Sequence, residues 1–285
     1  RAPVRRALTA HAIVDRHAMT LRLRQICLVA PELEPVVEAV AAIFGLPVCH
    51  RDPAVAKYGL VNALFVCGHQ FLEVVAPTRD GTAAGRFLQR SGGRGGYMAI
   101  FDTHDPERRR AHAQALGIRI AHEMDYPGFF GTQLHPVDCR ATMLEFDRST
   151  GNDDLNGAYW PAGPHWRDGQ RLDAVSGLPW IDVQSPDAEG LAAHWARIID
   201  VPLILNAQGE PTLRFDLGAV RFVSAPAGSA ERLDALHIDV LDAARTCAAA
   251  RDFGCASDGH GADAGFVLAG VRFVAHTRSQ RTRST

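Results

Sequence analysis

The chain has 285 residues, with 30 Lys and Arg against 32 Asp and Glu and a formal net charge of −2. That balance gives no general pull towards nucleic acid or an anionic membrane, and no apolar run reaches the roughly 18 residues of a membrane span. A composition of 47% hydrophobic and 22% charged residues is ordinary for a soluble globular protein, and the length suits two domains of about 130 residues.

Residues 1–19 carry arginines without a continuous apolar core and read as an extension ahead of the fold, disordered or artificial. The first strand pattern is LRLRQICLVAP. A helical stretch follows, with Val36, Val37, Val40, Ile43 and Phe44 at helical spacing and Gly45 past its end. Three strand-like runs come next: LPVCHRD, LVNALFVCG and QFLEVVAP. SGGRGGY reads as a flexible connector, because no strand precedes it and no helix opens from it. Then come the strand YMAIFDT, the helix DPERRRAHAQALG, the strand IRIAHEM, the loop DYPGFFGTQLHP and the strand ATMLEFD.

Two glutamates interrupt these apolar runs, Glu73 in QFLEVVAP and Glu145 in TMLEFDRS. An ionised carboxylate inside such a strand costs several kcal/mol unless something pairs with it. Sliding the sequence against itself by 72 residues superposes the two acids. The same shift brings Gly45 onto Gly117, Gly59 onto Gly131, and QICLVA (25–30) onto YMAIFD (97–102). The N-terminal part is therefore a duplication of a β-α-β-β-β unit.

The polar, Gly/Pro-rich residues 151–172 read as a linker. Two weaker copies of the unit follow. One has GLPWIDVQSP, a helix AEGLAAHWARIID, then LILNA, PTLRFD and AVRFVSAP; the other runs from LDALHIDV to GFVLAGVRFVAH. The expected architecture is α+β, four such units paired into two domains with cupped mixed sheets. They span 20–150 and 173–278, ahead of a basic tail at 279–285. DGHGADAG (258–265) lacks the acid spacing of a calcium loop and reads as a turn. Six cysteines without a CxxC pair fit a reducing, cytoplasmic setting.

Paired β-α-β-β-β units with an acid in the last strand resemble the vicinal oxygen chelate superfamily, which includes glyoxalases, bleomycin-resistance proteins and extradiol dioxygenases. The resemblance covers residues 21–148 well and 173–277 loosely. It implies a cup with a divalent metal ion on its concave face, held by residues of the first and last strands of each unit. In this sequence those positions fall on Gln25, Glu73 and Glu145, with Tyr97 where a histidine is usual. Such oxygen ligands favour Mg²⁺ or Mn²⁺; a nearby histidine (His69, His122 or His135) would shift the preference towards Zn²⁺, Ni²⁺ or Fe²⁺. The same frame places Trp180, Arg221 and Arg272 in the C-terminal domain, which implies no metal there.

The resemblance implies a glyoxalase-like, metal-dependent lyase or isomerase. Its small substrate with vicinal oxygens would react through a metal-stabilised enediolate, with Glu145 shuttling the proton and Tyr97 bonding the substrate. The alternative is a non-catalytic small-molecule-binding protein of the bleomycin-resistance type; an extradiol-type dioxygenase comes third. The expected partner is a small molecule, with no nucleic acid and no membrane, and a homodimer is allowed.

Overall fold

The computed structural model of the protein describes residues 20–258 and 265–278, so the expected N-terminal extension, the basic tail and most of the 258–265 turn lie outside the described residues. The first unit comprises β1 (Leu21–Val29), α1 (Glu34–Phe44), a 3-10 helix (Pro53–Tyr58), β2 (Leu60–Cys67) and β3 (Gln70–Pro77). Helix α1 buries Val36, Val40, Ile43 and Phe44 and ends where Gly45 turns left-handed at φ 68°, a conformation glycine adopts without steric cost.

Residues 46–52, expected as a strand, contribute only a bridge between His50 and Leu64. Pro47 within that stretch and Pro53 just after it cannot donate to a ladder. Helix α2 (Ala83–Arg90), which the sequence pattern did not announce, follows β3. Its N-terminus is capped by the Thr82 hydroxyl, which accepts from the Gly85 N–H at 3.0 Å. Thr82→Ala should cost about 1 kcal/mol of stability in denaturant unfolding, the usual worth of such a cap.

The second unit comprises β4 (Gly96–Thr103), α3 (Pro106–Ala115), β5 (Ile120–Tyr126), β6 (Phe129–Leu134), the short α4 (Pro136–Cys139) and β7 (Met143–Ser149). Strand β6 occupies the stretch expected as a loop. Gly128, at φ 90°, makes the tight turn that folds it back on β5.

The third unit has β8 (Val175–Ser185), α5 (Ala188–Ile199), β9 (Leu203–Leu205), β10 (Pro211–Arg214) and β11 (Ala219–Ser224). The fourth has β12 (Arg232–Val240), α6 (Ala243–Asp252), β13 (Ser257–Asp258), β14 (Gly265–Leu268) and β15 (Val271–Thr277). One sheet runs β2-β3-β1-β4-β7-β6-β5 and the other β13-β14-β15-β12-β8-β11-β10-β9. In each, two units join through their first strands, antiparallel at β1–β4 and at β8–β12. The fold class is α+β with two mixed sheets.

The helix-bearing faces of both sheets share one continuous hydrophobic core. Phe44 of α1 packs against Phe266 and Phe273 of the second sheet at 5.8 and 5.9 Å between ring centroids. The buried amide of Gln70 donates to the carbonyls of Leu23 and Leu178, one from each sheet.

The opposite, concave face of the first sheet is covered at one end by the connecting segment. Tyr159, Ala162 and Trp166 bury themselves on Leu64, Val66 and Phe71, with Tyr159 stacked on Phe71 at 4.6 Å. Arg24 lies beneath this plug and donates to the Leu155 carbonyl at 2.8 Å. The other end stays open. No helix among the described residues is long and apolar enough to cross a membrane.

Candidate functional site

The open end of the first cup is a cavity of about 650 Å³, lined by Gln25, Cys27, Asn62, Glu73, Gln133 and Glu145 among others. Strand register explains this convergence. β1 and β3 run parallel with Cys27 opposite Glu73 and Gln25 opposite Phe71. Side chains alternate across a strand, so Gln25, Cys27 and Glu73 share one face. β4 and β7 repeat the arrangement with Ile100 opposite Glu145. The strands carrying the two acids are separated by β1 and β4, about 14 Å along a flat sheet. The curvature of the cup turns their side chains towards each other, and the charge of Glu73 raises the pKa of Glu145.

Glu73 is held by two amide donors. Its Oε2 accepts from Gln25 Nε2 at 2.8 Å and its Oε1 from Asn62 Nδ2 at 2.7 Å. Burial raises its pKa, and hydrogen bonding partly reverses that effect. Glu145 Oε2 accepts only from Gln133 Nε2, at 2.9 Å. Burial pushes the Glu145 carboxyl up to about 7 against that one opposing bond. Gln133 lies directly opposite Glu145 in the β6–β7 ladder.

Tyr97 also lines the cavity, tilted against Phe87 at 5.0 Å. Burial pushes its phenol up to about 12, so it is a hydrogen-bond donor at neutral pH and a poor metal ligand. It sits where the β1–β4 register slips between Cys27 and Leu28. Gln25 pairs with the residue two before Glu73, and the residue paired two before Glu145 is Met98. By register, then, Met98 stands where the 72-residue offset placed Tyr97. Of the three candidate histidines, His122 and His135 line the cavity and His69 does not. His122 Nε2 is engaged with the Tyr58 hydroxyl at 2.7 Å.

Asn62, Gln133, Cys27 and Asp147 are cavity residues that sequence reasoning missed. The first two left a readable trace, as lone amides in the apolar runs LVNALFVC and FFGTQL. The second cup also held a surprise. Trp180 and Arg221 stand at the places of Gln25 and Glu73, but Arg272 pairs with Ala235 and so occupies the place of Met143, not that of Glu145. Arg221 is not an unpaired cation either. It bonds both oxygens of Asp182, at 2.7 and 2.6 Å, and His237 Nε2 donates to the same carboxylate at 2.9 Å. An acid therefore does remain in that cup, balanced by its neighbours.

Neither a protein-family model nor a curated protein matches the sequence. Solved structures do. A Mn(II)-bound glyoxalase from Novosphingobium aromaticivorans aligns over 90% of this chain and 82% of its own, with 14% identity and a TM-score of 0.59. A hypothetical protein from Staphylococcus aureus aligns over 90% and 99%, with 11% identity and a TM-score of 0.58. The chain has the vicinal oxygen chelate fold. A Streptomyces coelicolor methylmalonyl-CoA epimerase variant in complex with 2-nitronate-propionyl-CoA aligns over 46% of this chain and 95% of its own, with 26% identity and a TM-score of 0.41.

The donors that Gln25, Glu73 and Glu145 bring to the cavity are oxygens. Gln25 is 3% exposed, and with its amide nitrogen committed to Glu73 its Oε1 is buried without a hydrogen-bond partner. Glu145 gives one oxygen to Gln133 and keeps the other. No group of three His, Cys, Asp or Glu residues arranged to hold a metal occurs among the described residues. Three oxygen donors suit a hard cation better than a soft one.

Proposed function

We propose that the protein is a metal-dependent lyase or isomerase acting on a small substrate with vicinal oxygens, in a reducing cytoplasmic setting. The observation that carries this reading is the partnerless Oε1 of Gln25, facing the same cavity as Glu73 and Glu145. Gln25, Glu73 and Glu145 would hold the ion, Mg²⁺ or Mn²⁺ by their chemistry. When bound, it would polarise a substrate carbonyl and lower the cost of developing negative charge on oxygen.

The chain's own residues do the rest. Glu145, near 7, is poised to take a carbon-bound proton and return it to a neighbouring carbon, since a base works best with a pKa close to ambient pH. Gln133 fixes its far oxygen. Tyr97 donates a hydrogen bond to a substrate oxygen. The apolar walls at Val75, Ile100 and Met143 exclude water from the transfer. Buried, unlinked Cys27, Cys67 and Cys139 support the reducing setting.

Isothermal titration tests this reading. The protein should bind one Mn²⁺, and Gln25→Leu should weaken it by about tenfold, or ~1.4 kcal/mol. Met98 at the fourth position favours a second reading, a binding protein that works without metal. Failure of the wild type to bind Mn²⁺, Mg²⁺, Ni²⁺ or Zn²⁺ would decide for it.

A further inference from the structure

The 3-10 helix Pro53–Tyr58 borders the cavity without joining any core. Ala54, Val55, Lys57 and Tyr58 line the cavity, yet the helix buries none of its residues. Its six residues make it long for a 3-10 helix, whose poorer hydrogen bonds seldom hold more than about three or four. Both ends are built to turn. Asp52 is extended at φ −87° and ψ 111°, and Gly59 is left-handed at φ 72°, a conformation open to glycine.

What holds the helix down lies on the far side of the cup. The helix leads into β2, one edge of the first sheet, and β5 is the opposite edge. Along a flat sheet those edges would stand about 29 Å apart. Here Lys57 Nζ donates to the Tyr126 hydroxyl at 2.7 Å, and the Tyr58 hydroxyl bonds His122 Nε2 at 2.7 Å. Lys57 Nζ also lies 4.9 and 5.2 Å from the Tyr58 and Tyr126 ring centroids, within reach of a cation–π contact. All four residues line the cavity, so these contacts close across it. They are solvent-exposed, and exposed polar contacts contribute little to stability. A segment held by them, with no buried side chain of its own, opens at far lower cost than the strands around it.

The near end of the helix is tied to the site. Asn62 is buried; its Oδ1 accepts from the Asp52 N–H at 2.8 Å, and its Nδ2 donates to Glu73 Oε1 at 2.7 Å. One amide thus joins the hinge of the helix to an acid of the cavity.

We propose that residues 52–59 are a lid over this cavity, hinged at Asp52 and Gly59 and latched onto β5 by Lys57 and Tyr58. Open, it admits the ligand; closed, it shields the acids from bulk water. This control of entry rests on the cavity being the reaction site. Access is measured without metal or substrate, however, so the lid and the metal-dependent reading stand or fall separately.

The free thiol of Cys27 lines the cavity and reports on access. Metal-free protein is treated with iodoacetamide at about pH 8, and the six cysteines are told apart by peptide mass. Lys57→Met combined with Tyr58→Phe removes both latch bonds and nearly preserves side-chain volume. It should speed labelling of Cys27 by at least about fivefold. Cys67 and Cys139, buried in the core and absent from the cavity lining, should keep their rates. An unchanged Cys27 rate would overturn the proposal, and so would an equal rise at all three cysteines, which reports general loosening. Hydrogen exchange gives a second reading. Amides of residues 54–58 should exchange faster in the double variant than in the wild type, while those of β2 stay the same. Exchange at 54–58 that ignores the substitutions would equally sink the lid.

Discussion

Stripped of divalent metal, the protein should lose about 3 kcal/mol of stability through Glu145 alone between pH 4.5 and about pH 8, and Glu145→Gln should not show that loss. The sign follows from which state keeps the proton. Unfolded, the carboxyl titrates near 4.5; folded, burial pushes it up to about 7. Across that window the folded protein still holds a proton that the unfolded chain has released, so rising pH favours unfolding. Below 4.5 both states are protonated and there is no penalty; above about 7 the penalty is complete. Glutamine keeps the shape, and its carbonyl still accepts from Gln133. Denaturant midpoints of the metal-free wild type and variant, measured side by side along the pH series, isolate this one group. Parallel curves would mean that Glu145 is solvated in solution and does not sit in the cavity as described. Added Mn²⁺ should restore the wild type at high pH, because it binds only the folded, ionised site, and should do nothing for Glu145→Gln.

Met98→His should raise affinity for Zn²⁺ and Ni²⁺ by on the order of a hundredfold, and for Mg²⁺ far less, because imidazole suits the borderline metals. Tyr97→His, one residue earlier, should do much less. The contrast follows from register. Met98 pairs two residues before Glu145, as Gln25 pairs two residues before Glu73. Tyr97 occupies the slip in the β1–β4 ladder. Competitive titration of both variants against the four ions decides the matter. Tightening in Tyr97→His alone would show that the simple sequence offset, rather than the strand ladder, locates the missing ligand.

That one-residue difference shows how far a sequence carries. The duplication was legible because glycines, an apolar strand and an acid recur in one frame, and those features fix the order of the elements. A bulge adds a residue to one strand without leaving a compositional mark, so the offset that aligns Glu73 with Glu145 stops one residue short, at Tyr97 instead of Met98. Strand β6 was hidden for a different reason: Pro127 and Gly128 look like loop chemistry, and here they make the turn into a strand. Asn62 and Gln133 were visible as isolated amides, but nothing in their spacing says which acid each would meet. Asp182 escaped because the frame compared only the positions of Gln25, Glu73 and Glu145, whereas Asp182 stands at the place of Cys27.

The paired arginine and aspartate of the second cup bear on the tolerance of the first. Duplicated units began with equivalent strand positions, and the C-terminal pair fills them with groups that neutralise one another: Arg221 against Asp182, with His237 adding a third contact. The N-terminal pair meets its acids differently, with the neutral amides of Gln25, Asn62 and Gln133, and leaves Gln25 Oε1 without a partner. Both halves share a single core, so one scaffold carries a cup whose acid is answered by an arginine beside a cup whose two glutamates are answered by uncharged groups.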